Sequence, residues 1–344
     1  MRIRIATSFA LATALLLLSG CAATGSTTGA TPSATATATA PLPTIPTELY
    51  VVANTADVIS LERDAHAIAT IGIDGVTVSA AGNTVSKLPD NAAALVAAAH
   101  SRGLTAELLV SNYDDATGDF SPKIATALLG SSEHRSAVIA DLVTRVTDGG
   151  FDGVQIDLES LSADDSPGLV SFTTQLHDSL GAPRSVSMAV MAKSSPSRYR
   201  DAGYDFARLT PQLARVVLMA YDQHGPTRSK PGPVGGLPWA TEALDALIAG
   251  GVPSARIDLG VAGYGYSWPG NGSDGKQLSG NDSRALAGDL GRWDPREAEW
   301  TATLPDDTVV WWSDSRSLSA RHSLALSRNL HGLAVWELLL TDPL

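Results

Sequence analysis

The sequence predicts an α/β fold, a (β/α)8 TIM barrel, and three observations lead there. Short β-branched or apolar runs recur eight times between residues 49 and 337. Longer segments with helical spacing lie between them. The turn after the first run, Asn54-Thr55-Ala56-Asp57, lacks the glycines that a doubly wound nucleotide-binding sheet needs there.

In chain order, the strand-like runs are Leu49–Val52, Gly75–Ser79, Thr105–Val110, Gly153–Leu158, Val186–Val190, Val216–Met219, Ile257–Gly263 and Gly332–Glu337. Ala92–His100 is nearly all alanine and leucine and reads as a helix. Arg135–Val146 sets Val138, Ile139, Leu142 and Val146 on one stripe, the mark of a helix with one buried face. Thr241–Ile248 and Ser317–Leu330 are patterned similarly. A barrel of this kind keeps its chemistry at the C-terminal ends of the strands.

The first 45 residues read as addressing rather than fold. Residues 1–20 carry Arg2 and Arg4 and then an apolar run from Ile5 to Leu18, the pattern of a secretory leader. The leader ends Leu18-Ser19-Gly20-Cys21, which resembles a bacterial lipobox. That resemblance implies cleavage before Cys21, the sole cysteine, and lipid attached to it. The expected location is the outer face of the cytoplasmic membrane, with the lipid as the membrane contact. Residues 21–45 are mostly Ala, Thr, Ser, Gly and Pro without charge, and read as a tether. Residues 46–344 form the expected catalytic domain.

The net charge is −12, which argues against a nucleic-acid partner. One cysteine excludes an internal disulfide framework. No Walker, EF-hand, His-Glu-x-x-His or Gly-x-Ser-x-Gly spacing occurs, so no cofactor and no metal is expected. A tethered barrel is expected to be a monomer.

The strongest chemical signal is the acidic strand Phe151-Asp152-Gly153-Val154-Gln155-Ile156-Asp157-Leu158-Glu159. Side chains alternate along a strand, so Gln155, Asp157 and Glu159 share a face, about 6.6 Å apart at each step. Val154, Ile156 and Leu158 face the covering helices. Carboxylates in such a strand are costly unless paired or functional. Close carboxylates raise each other's proton affinity, so one can keep a proton near neutrality, as a general acid must. A structural acid pair or a solvated strand end would give the same spacing.

The segment Asp152–Glu159 resembles the fourth-strand signature of glycoside hydrolase family 18, the chitinase-like barrels. Leu218-Met219-Ala220-Tyr221-Asp222 resembles the family's sixth strand, and Gly332-Leu333-Ala334-Val335-Trp336-Glu337 its eighth. Tyr221-Asp222-Gln223-His224-Gly225, Leu237-Pro238-Trp239 and Gly263-Tyr264-Gly265-Tyr266-Ser267-Trp268 are similar to the cell-wall and spore-cortex N-acetylglucosaminidase branch. The stretch 292–316 resembles a small insertion between strands seven and eight.

The resemblance implies retaining hydrolysis of β-linked N-acetylglucosamine glycans, with the substrate's acetamido oxygen as nucleophile. Glu159 would be the acid and later the base. Asp157 would orient the acetamido N–H, and Tyr221 would donate to the acetamido carbonyl. Asp222 and Trp336 would bind the sugar, Trp336 as its apolar floor. Gln155 stands where the family usually has Asp or Asn; its amide is expected to hydrogen-bond Asp157 and take part in binding, without receiving a proton. Asp152, of opposite parity, is read as a structural acid. The expected substrate is peptidoglycan, with chitin-type oligosaccharide or N-glycan as alternatives, and a lectin-like binding barrel as the alternative of another class.

Overall fold

The computed structural model describes residues 44–227 and 229–344. The expected leader, Cys21 and the tether to residue 43 lie outside the described residues. Ile45, counted with the tether above, packs against the core.

Eight parallel strands close into a barrel: β1 (Thr47–Val52), β2 (Thr70–Thr77), β3 (Thr105–Ser111), β4 (Gly153–Asp157), β5 (Ser185–Met191), β6 (Arg215–Met219), β7 (Ile257–Ala262) and β8 (Gly332–Trp336). They follow one another around the barrel in chain order, and β1 pairs with β8 to close it. Outward residues such as Val154, Ile156 and Leu158 join the apolar layer under the helices. Helix Ser132–Gly149 buries the stripe read from the sequence, Val138, Ile139, Leu142 and Val146.

The second strand begins at Thr70, not Gly75. The reading went late because Gly72 and Asp74 interrupt an apolar run. Both belong inside. A Cβ on Gly72 would stand 2.6 Å from the Tyr50 ring and 2.7 Å from Glu48 Oε1, so only glycine fits against them.

The insertion between β7 and β8 is also larger than the expected 292–316. It is a five-stranded antiparallel sheet ordered Lys276–Ser279, Tyr264–Trp268, Val309–Trp312, Glu299–Thr303 and Arg292–Asp294. The polar stretch after Trp268 contains an edge strand, and its polarity reflects exposure on both faces. Buried Glu299 pins the sheet. It accepts from Val234 N and Gly235 N at 2.8 Å each and from Arg321 at 3.2 Å. That one carboxylate ties together the insertion, the loop after β6 and helix Ser315–Ser327.

The barrel floor is charged. Arg215 meets Glu107 Oε2 at 2.7 Å, Asp258 Oδ2 at 3.1 Å and Glu48 Oε2 at 3.5 Å. Burial, with Glu107 and Asp258 adding to it, pushes Glu48 up to about 8 despite Arg215. An apolar layer of Tyr50, Leu109, Ala189, Val217 and Ala334 lies above.

Removing one partner of a buried ion cluster strands the others. Arg215→Met is expected to cost about 3–5 kcal/mol of stability in urea denaturation. The loss should be larger at pH 8 than at pH 5, since a carboxylate holding its proton needs no counter-charge.

Candidate active site

Asp157 is the last residue of β4, and Glu159 stands two residues beyond it. Asn112, fully buried just after β3, holds Glu159 in place. Its Oδ1 accepts from Glu159 N at 2.8 Å, and its Nδ2 donates to Glu159 O at 2.9 Å and Ser121 O at 2.9 Å. Tyr204 Oη donates to Leu158 O at 3.3 Å. The next residue, Ser160, has φ of 58° and Asp222 also has φ of 58°. Two non-glycine residues in the left-handed region flank the candidate catalytic side chains, and strain of this kind collects where surrounding structure over-determines the backbone.

Glu159 holds its proton tightly. Burial, and then the charges of Asp157, Asp222 and Asp119, push it up to about 9, with Lys193 opposing. Burial and the charge of Asp74 push Asp157 up to about 7. Asp157 Oδ1 is buried without a hydrogen-bond partner. Burial and the surrounding carboxylates also hold the Tyr221 phenol well above its ordinary range, so it remains a donor.

Tyr221 lies against β7, where Gly260 leaves room; a Cβ there would stand 3.0 Å from the Tyr221 ring. Asp222 Oδ1 accepts from Tyr264 Oη at 2.5 Å and Tyr266 Oη at 2.7 Å. The insertion thus fixes Asp222, a role for these tyrosines that sequence reasoning did not assign. A cavity of about 170 Å³ is lined by Glu159, Met191, Met219, Tyr221, Asp222 and Trp239. A second, of about 780 Å³, opens at the ends of β1–β3 and is lined by Asn54, Asp74, Lys87, Asn91 and Tyr113 among others. Trp336, half-buried, stands 5.2 Å from the Tyr50 ring, between the barrel interior and the aromatic cluster of the insertion.

Gln155 departs from the expectation that it meets Asp157 and the sugar. It has no exposed surface. Its Nε2 donates to Glu48 Oε1 at 3.1 Å and Ser187 Oγ at 3.1 Å, and its Oε1 accepts from Tyr50 Oη at 2.6 Å. One step down the strand face puts it in the charged floor rather than the cleft. Asp152 lies at the other end of β4. Its Oδ2 accepts from Ala106 N at 2.8 Å and meets His100 Nε2 at 2.9 Å, tying β3 and helix Ala92–His100 together.

Most tryptophans are packing. Trp300 and Trp312 stack at 6.0 Å, and Trp268 Nε1 donates to Gly225 O at 3.1 Å. Trp239, by contrast, lines the cavity with Glu159.

A parallel barrel with two protonatable carboxylates and a tyrosine donor at its C-terminal mouth has the parts of a glycosidase. The chain belongs to the glycosyl hydrolases family 18, whose family pattern matches residues 69–340. It is 28% identical over 270 residues to a Bacillus subtilis protein named as a sporulation-specific glycosylase, YdhD, covering 75% of this chain and 63% of that one. It is 23% identical over 264 residues to the cortical fragment-lytic enzyme of Bacillus subtilis, covering 71% and 59%. The chain therefore spans about three fifths of the length of these two relatives. The chitinase of Chromobacterium violaceum has the same fold, with a TM-score of 0.77 at 26% identity over 87% of this chain and 95% of that one.

Two outcomes follow from this geometry. Asn112→Ala releases both backbone clamps on Glu159, and kcat is expected to fall by about 10- to 100-fold as the acid drifts from its position. KM should stay within about threefold. The second concerns stability. Glu159 binds its proton more tightly folded than unfolded, so the wild type loses stability as pH rises from the ordinary value of 4.5 to about 9. Glu159→Gln escapes that loss; its melting temperature should exceed the wild type's at pH 9, with the gap closing toward pH 4.5.

Proposed function

We propose that this protein hydrolyses β-linked N-acetylglucosamine glycans with retention, and that peptidoglycan outside the membrane is its substrate. One observation carries the reading: Glu159 and Asp157 sit together at the mouth of the barrel, where burial raises the proton affinity of both and the charge of Asp157 raises that of Glu159 further. Near neutrality one group is an acid and the other can become an anion, the division of labour that protonating a leaving oxygen and orienting an amide require.

In this reading Glu159 protonates the glycosidic oxygen as the C1–O bond breaks. The substrate's acetamido oxygen closes on C1 from the opposite side. Anionic Asp157 accepts the acetamido N–H and steadies the positive charge that spreads over the oxazolinium ring. Tyr221 donates to the acetamido oxygen. Glu159, now ionised, takes a proton from the water that reopens the ring. Asp222, fixed by Tyr264 and Tyr266, and Trp336 hold the sugar.

Likeness to the cortical fragment-lytic enzyme supports peptidoglycan over chitin-type oligosaccharide. The leader and Cys21 support an exported, lipid-anchored monomer.

The test compares wild type and Glu159→Gln on purified peptidoglycan and on chito-oligosaccharides, with products read by mass spectrometry. The expected result is fragments with reducing N-acetylglucosamine ends from peptidoglycan, and a loss of at least about 100-fold in the variant. Activity should also fall above pH about 9 as Glu159 ionises. Products from chito-oligosaccharides alone would move the substrate, and sugar binding without products would make the barrel a binding module.

A further inference from the structure

Asp157 has a buried oxygen without a partner, and the residue below it on the strand face offers no relief. Gln155 spends its amide on Glu48, Ser187 and Tyr50, and an amide takes no proton. The carboxylate that faces Asp157 comes from β2.

Gly72 points at Tyr50 and Glu48 inside the barrel, so Asp74, two residues on, points inward one layer higher. Its height follows from the strand registers. Glu48 of β1 is in register with Thr70 and, through it, with Thr105 of β3. Yet the β3 side chain that joins Glu48 on Arg215 is Glu107, two residues further along. The same stagger applies from β2 to β4. Asp74 is in register with Leu109 and, through it, with Gln155, so the β4 residue in its layer is Asp157. Alternate strands of such a barrel supply each interior layer.

We propose that Asp74 is the positioning carboxylate for Asp157: the two share one proton, and its passage to Asp74 leaves Asp157 anionic to accept the substrate's acetamido N–H. The inference rests on the reading of Asp157 given above. Two carboxylates in one water-poor site do not both ionise readily. The proton lost by Asp157 is the proton gained by Asp74, so the pair keeps its charge. Asp157 is also faced by Glu159 and by the phenols of Tyr50, Tyr204 and Tyr221, and Asp74 by Glu337 beyond β8. Burial raises the proton affinity of Asp74 as well. Asp74 lines the larger cavity, so it is reached from the mouth of the barrel.

The test is the pH dependence of kcat/KM on a chito-oligosaccharide for wild type, Asp74→Asn and Asp74→Ser. The acid limb, set by ionisation of Asp157, should move down by about one pH unit in both variants. Asp74→Glu should restore it. A limb that stays in place while activity falls would mark Asp74 as merely structural and overturn the proposal. The titration of the Asp157 carboxyl carbon by NMR, in a Glu159→Gln background, needs no turnover. Its midpoint should fall in Asp74→Asn, and an unmoved midpoint overturns the proposal whether or not the enzyme reading stands. In the parent protein the carboxyl carbons of Asp74 and Asp157 should report two common midpoints. Independent single-site curves would overturn the proposal without any Asp74 variant having to fold.

Discussion

The guanidinium of Arg215 organises the floor of the barrel, and the layers above depend on it. It gathers carboxylates from β1, β3 and β7 onto a side chain from β6, so one cation ties four of the eight strands. One positive charge against three acids is not balanced, and the structure answers in two ways. Burial leaves Glu48 holding a proton to about 8. Gln155 supplies a neutral amide where another acid would add a further negative charge, and donates to Glu48 and Ser187. An amide at 155 is thus compatible with this floor for electrostatic reasons that are independent of the chemistry above it.

The upper layer meets the opposite requirement. There burial raises the proton affinity of Asp157 and Glu159, so that they hold protons that ordinary acids would lose. Glu159 and Asp222 are positioned by neutral hydrogen-bond partners. Asn112 clamps the backbone of Glu159, and two insertion tyrosines donate to Asp222. Glu299 and Arg321 in turn lock the insertion to the loop after β6. The insertion therefore shapes the site from outside the barrel, through hydrogen bonds to a single strand end.

How much of this was legible depended on whether a signal was local. The stripe on Ser132–Gly149 and the alternation in β4 are periodic, and periodicity survives without knowledge of the partner. Gly72 and Asp74 hid the start of β2 because a glycine and an acid interrupt a strand pattern unless one knows what they face. Asn112 carried no signal, since a lone asparagine after a strand looks like any loop residue. Tyr264 and Tyr266 were visible only as part of a family-like run; their bonds to Asp222 span more than forty residues.

By itself the sequence determined the fold class, the strand that carries Asp157 and Glu159, and their common face. These follow from backbone geometry, because strand alternation and helical spacing depend on residues within a few positions of one another. Only the tertiary structure decided that Gln155 belongs to the floor, that Asp74 enters the layer of Asp157, and that Glu159 keeps its proton to about 9. Those outcomes depend on the stagger between strands and on the exclusion of water. Neither exists until distant segments have closed the barrel.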